Sequence, residues 1–235
     1  MRDRLKQAFR VASAAGALIA LAGCQAQDSK TPTDNASAQS SPSPAATANE
    51  SIRAAAEPFE ALTEKAFSAD WAAIDTLIAD ARTAVSKAAL PSDGRSRLDR
   101  RLAAIGAARA AQDRVGLALA AVEGYRELVE AQDPAAARPP VAVSLLDYAG
   151  FRYDALAQAP NVDWAEMART VEFARKQWQN VAPKVQSKAM PGVMTESLAA
   201  MASAVERKDA AFARSAAATE LALVDLLEEQ TADKR

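Results

Sequence analysis

Histidine is absent from the 235 residues, and cysteine occurs once, at Cys24. The first absence removes Ser–His and Cys–His nucleophile pairs, histidine zinc sites and the usual haem ligands. A di-iron centre of the ferritin kind needs Glu-x-x-His on two helices, so it cannot be built either. The second excludes an intrachain disulfide framework. No glycine-rich phosphate loop occurs, and aromatic residues make up only 5% of the chain. Runs in which β-branched and aromatic residues alternate with polar ones are also missing, which excludes a sheet-based fold. What remains is rich in Ala, Leu, Glu, Arg and Lys, and it predicts an all-α protein.

The N-terminus has its own pattern. Arg2, Arg4, Lys6 and Arg10 surround one acid, Asp3, and Val11 to Ala22 is uncharged and mostly aliphatic. A basic start, a short apolar run and small residues at its end predict an export signal over residues 1–23. The run is too short to span a bilayer, which takes about 20 apolar residues. Leu21-Ala22-Gly23-Cys24 resembles the lipobox of bacterial lipoproteins. The resemblance covers only these first 24 residues. It implies lipidation of Cys24, which becomes the first residue of the mature chain and carries three acyl chains, enough for stable anchoring where one is marginal. Gln25 rather than Asp follows the cysteine. By the same resemblance, that implies an outer-membrane address facing the periplasm.

Residues 25–50 contain no Leu, Ile, Val, Met or aromatic side chain. Such a stretch cannot bury enough apolar surface to offset its ordering entropy, so residues 24–50 read as a lipidated cysteine and a disordered tether. As a flexible coil its reach is roughly 30 Å. Loss of residues 1–23 leaves 24 Lys+Arg against 29 Asp+Glu, a net −5. That balance argues against nucleic acid, which requires clustered bases.

From residue 51 to 235 the chain reads as one helical domain punctuated by Pro/Gly clusters near residues 90–94, 133–140, 159–161 and 190–192. Eight segments follow, at about 53–67, 70–89, 95–112, 114–132, 142–158, 163–182, 193–208 and 210–231. An internal repeat runs through them. Trp71, Ile74, Ile78, Ala81, Val85 and Ala88 recur as Trp164, Met167, Val171, Ala174, Trp178 and Val181, with the same 3, 4, 3, 4, 3 spacing. That spacing lays six apolar residues on one helical stripe. Asp70 and Asp163 precede the two stripes as N-caps, and Asp113 and Asp209 occupy corresponding positions further on. The expected fold is an internally duplicated helical bundle or short α-solenoid, with half-repeats of about four helices at 51–133 and 141–231. Trp71, Trp164 and Trp178 are expected as core anchors.

Two groups of residues offer chemistry. Glu127 and Glu130 share a helical face, as do their counterparts Asp225 and Glu228. If the two helices packed about a pseudo-twofold axis, four carboxylates would converge on a divalent cation such as Ca²⁺ or Mg²⁺. The bland alternative is a solvated acidic face. Asp147, Arg152, Tyr153 and Asp154 form the densest polar and aromatic cluster, with Arg152 expected to pair with Asp147 or Asp154 as a structural ion pair or partner surface. The sequence therefore predicts a non-enzymatic envelope lipoprotein without an obligatory cofactor, a tethered module that binds or supports another envelope protein. The alternative is a periplasmic protein that takes a small ligand or a divalent metal in a groove between its halves.

Overall fold

A computed structural model describes residues 43–232, and all regular structure within them is helical. Cys24, residues 1–23 with the expected export signal, and residues 25–42 lie outside the described residues. The elements are α1 (Pro44–Lys65), α2 (Trp71–Lys87), α3 (Ser92–Ala110), α4 (Arg114–Glu130), α5 (Val141–Ala157), α6 (Trp164–Val181), a 3₁₀ turn (Ala182–Lys184), α7 (Met190–Arg207) and α8 (Ala210–Ala232). None of these helices is long and apolar enough to cross a membrane.

Seven of the helices begin and end within three residues of the segments expected from the sequence. The exception corrects the tether: α1 starts at Pro44, so residues 44–50 belong to the folded body. Ser43 caps this helix by accepting a hydrogen bond from the Ala46 N–H (3.2 Å), and Pro44 fills the first turn, where its missing N–H costs nothing. Asn49 then anchors the added turns to the far end of α4.

The helices close into two rings. In the first, α1 packs on α2, α2 on α3, α3 on α4, and α4 back on α1. In the second, α5, α6, α7 and α8 repeat that cyclic order, and α4 against α5 makes the main junction between the rings. This is a helical bundle of antiparallel neighbours joined by short loops. Phe59, Leu62, Ile74, Leu98, Ile105, Leu117 and Leu128 fill the first ring. Leu146, Tyr153, Met167, Met194 and Leu198 fill the second.

Local chemistry explains where the helices start and stop. Asp70, Asp113, Asp163 and Asp209 each accept a hydrogen bond from the N–H three residues ahead, at 2.8–2.9 Å. Two turns match closely. Gln112 and Lys208 adopt left-handed backbone (φ 55° and 52°). The Asp113 N–H then donates to the Ala108 carbonyl (2.9 Å), and the Asp209 N–H to the Ala204 carbonyl (3.0 Å). Each turn satisfies a terminal carbonyl of one helix while its Asp caps the next.

The two apolar stripes are buried from Ile74 to Ala88 and from Met167 to Val181, but their first residues are not. Trp71 and Trp164 are half-buried at the margin of the core, so they are not its anchors; Trp178 is buried. The first-turn position explains this, because an indole beside an N-cap stands at the mouth of the ring. Trp71 is covered instead by the guanidinium groups of Arg109 and Arg114, 4.7 and 4.4 Å from its ring.

Candidate functional site

The proposed carboxylate quartet does not assemble. Glu127 accepts a hydrogen bond from Arg101 Nε on α3 (2.7 Å) and lies 3.9 Å from Arg97, while Glu130 pairs with Arg126 one turn back (2.8 Å). Asp225 and Glu228 stand on α8, which packs on α5 and α7, whereas α4 packs on α1, α3 and α5. Among the described residues no group of three or more acidic, histidine or cysteine side chains is arranged to hold a metal ion. The physical reason is topological: the ring order sets α4 beside arginine-bearing α3, whose Arg101 and Arg97 neutralise Glu127, while Glu130 pairs within its own helix.

Asp147, Arg152, Tyr153 and Asp154 do not form one site either. Their spacing on α5 sends them in several directions. Asp147, only 2% exposed, lies 3.4 Å from the Tyr125 hydroxyl on α4. Tyr153 is buried and donates to the Met201 carbonyl of α7 (2.7 Å). Asp154 accepts from Gln158 Nε2 (2.8 Å), and its burial pushes its pKa above the usual aspartate range. Arg152 pairs with neither aspartate. It reaches across the junction to Glu123 on α4 and to Glu166 on α6 (2.8 Å).

Arg152 thereby completes a chain of alternating charges that spans four helices. Asp93, Arg97, Glu127, Arg101, Glu123, Arg152, Glu166 and Arg169 follow one another in ion-pair contact from α3 to α6. Glu127, Glu123, Arg152 and Glu166 are 13–25% exposed, Arg101 and Arg97 are 39% and 45% exposed, and Asp93 and Arg169 at the ends are open to water. Tyr148 donates to Glu123 (2.9 Å); burial, and then the Glu123 charge, push its hydroxyl pKa up to about 12, so it remains a donor. Arg126 sits 5.3 Å from both the Tyr148 and Phe173 rings, which meet edge to face. Hydrogen bonds from Arg152 and then Arg169 hold Glu166 below the ordinary glutamate range.

Sequence reasoning missed Glu123, Arg126, Tyr148 and Glu166. A signal was available: Arg97/Arg101 and Glu123/Glu127 are both spaced i, i+4, so each helix presents two like charges on one face to the other. The junction of the two rings is consequently filled. The Glu123–Arg152 ion pair crosses it on one side, and the edge-to-face rings of Tyr125 and Phe151 (6.3 Å) occupy its interior. Burial, and then the carboxylates of Asp147, Glu228 and Glu60, raise the Tyr125 hydroxyl pKa well above its ordinary value.

Open space lies elsewhere. A cleft of about 390 Å³ runs between α2 and α3 beside Arg82, Arg95 and Asp99. The Arg95 guanidinium there is bound to the carbonyls of Val85 (2.8 Å) and Ala88 (2.9 Å). A more apolar cavity of about 320 Å³ sits at one end of the second ring, between α5, the α6–α7 linker and α8. Neither is a groove between the halves. Comparison with protein-family models, with curated proteins and with solved structures found no match to this chain.

Proposed function

We propose that this chain is a lipid-anchored envelope protein whose helical module works by binding, as an adaptor or structural support on the periplasmic side of the outer membrane. The observation that carries the reading is the Leu21–Cys24 lipobox resemblance, followed directly by residues 25–42 with no large apolar side chain and then by a capped helical body. The absence of histidine, and the use of the single cysteine for the anchor, support binding over catalysis. The repeated ring order and the paired turns at Gln112 and Lys208 support descent of the two rings from one duplicated unit.

Metabolic labelling with a tritiated fatty acid tests the anchor. The wild type should incorporate label and fractionate with outer membranes, and Cys24→Ser should do neither. Site-specific photo-crosslinking from exposed positions of α3 and α6 in intact cells tests the adaptor. A discrete adduct that depends on the position of the probe supports it. Adducts that are absent, or the same from every position, would overturn it.

A further inference from the structure

The cavity at the end of the second ring is built differently from its counterpart in the first. In the first ring, four residues (88–91) connect α2 to α3, and α1 begins well before the level of that linker. Ser51 Oγ accepts from the Ala89 N–H of the linker (3.0 Å), and Asn49 exchanges two hydrogen bonds with Asp133 beyond α4. That end is stitched together by polar bonds. In the second ring, eight residues (182–189) connect α6 to α7, and α5, at 17 residues against 22 for α1, lacks the additional N-terminal turns. The longer linker stands away from the helices, and the space between holds about 320 Å³, the lower end of the range for small-ligand pockets.

Its lining is selective. Val143, Val181 and Leu227 form a buried aliphatic floor. Asn180 and Gln230 supply neutral amides at the rim, and Lys184, on the exposed 3₁₀ turn, is the one charged lining residue among the described residues. An aliphatic floor with a single cation at the mouth complements an aliphatic chain that ends in an anion. The partial negative charges at the ends of α6 and α8 oppose that anion, but a full ammonium charge at the mouth outweighs two screened helix termini.

We propose that this cavity binds one single-chain aliphatic carboxylate, with its chain on Val143, Val181 and Leu227 and its head group at Lys184. The inference goes beyond the adaptor reading and does not depend on it.

Titration calorimetry with octanoate and decanoate tests it, on the full chain carrying Cys24→Ser so that no acyl anchor competes. Both acids should bind one to one, decanoate about tenfold more tightly, since each buried methylene contributes roughly a three- to fourfold gain. Lys184→Gln should weaken both by about two- to fivefold, as for a solvent-exposed ion pair. Ala142→Phe, which fills the mouth from α5, should abolish binding. Val185→Trp should do the same from the linker, outside any helix, and a far-UV spectrum checks that each variant is folded. The proposal fails if neither acid binds at millimolar concentration, or if both folded plugged variants bind as the parent does. It fails equally if octylammonium binds as tightly as octanoate, or if Lys184→Gln changes nothing.

Discussion

Asn49 and Asp133 stand 84 residues apart and exchange two hydrogen bonds: Asn49 Nδ2 donates to the Asp133 carbonyl, and the Asp133 N–H donates to Asn49 Oδ1, both at 2.8 Å. One side chain thus fixes the first turns of α1 to the loop that leaves the first ring. Asn49→Ala leaves the Asp133 N–H without its partner, while the Asp133 carbonyl still accepts from the Ala136 and Ala137 N–H groups, and should cost about 1–2 kcal/mol. A chain starting at residue 51, which lacks Asn49, should melt below one starting at residue 43, and the 43-start chain carrying Asn49→Ala should melt between them or level with the shorter chain. Calorimetric melts of the three proteins check this, and equal melting points for the two lengths would contradict it.

The three tryptophans should separate by burial. Trp178→Ala should cost about 3–5 kcal/mol, the usual range for a core Trp. Trp71→Ala and Trp164→Ala should cost less, and Trp71 more than Trp164 by about 1–2 kcal/mol, because two guanidinium contacts at roughly 0.5–1 kcal/mol each cover only the former. Urea denaturation of the single mutants measures all three. Equal losses at Trp71 and Trp164 would show that the arginine contacts contribute nothing.

Arg152 bridges two carboxylates across the ring junction. Arg152→Met should cost about 1–3 kcal/mol, below the value for a fully buried pair because these side chains remain 19–25% exposed. Arg152→Lys should recover only part of the loss, since an ammonium cannot serve two carboxylates with a planar fork.

The pH dependence follows from signs. Glu166 has a lowered folded pKa, so its contribution is present above its unfolded value near 4.5 and is lost as pH falls through the lower folded value. Glu166→Gln should therefore destabilise at neutral pH and flatten the acid limb. Asp154 has a raised folded pKa, so stability is favoured below its unfolded value near 3.8 and is lost as pH rises through the folded one. Asp154→Asn should stabilise at neutral pH and give no gain in acid. Melts between pH 3 and 7 distinguish these opposite slopes.

The turns at Gln112 and Lys208 make a matched pair. Both residues are exposed and hold left-handed backbone, where glycine avoids a cost of roughly 1 kcal/mol. Gln112→Gly and Lys208→Gly should each stabilise by about 0.5–1 kcal/mol. Gly124→Ala should do the reverse and cost about 1–3 kcal/mol, because an added Cβ would overlap the Phe59 ring where α1 meets α4. Phe59→Leu should reduce that penalty in the double mutant. Destabilisation by either glycine substitution would refute the reading of these turns.

Local interactions explain how much of this was readable in one dimension. The Asp N-caps, the 3, 4, 3, 4, 3 stripes and the Pro/Gly breakers act within one or two turns of chain, so their spacing placed seven of the eight helices. The start of α1 was not readable in that way. Residues 43–50 lack apolar periodicity, and Asn49 acquires its partner only when α4 is packed alongside. The same distinction governs the candidate sites. The lipobox resemblance rests on adjacent residues. The destination of each charged side chain depends on which helices become neighbours, and the ring order is a matter of tertiary packing. Sequence symmetry allowed Glu127 and Glu130 to meet Asp225 and Glu228. Packing instead set α4 between α3 and α5, where Arg101 and Arg152 complete a chain of ion pairs that no single helix encodes. The aliphatic cavity has the same origin, because it exists only where the ends of α5, α6 and α8 and a lengthened linker stand together.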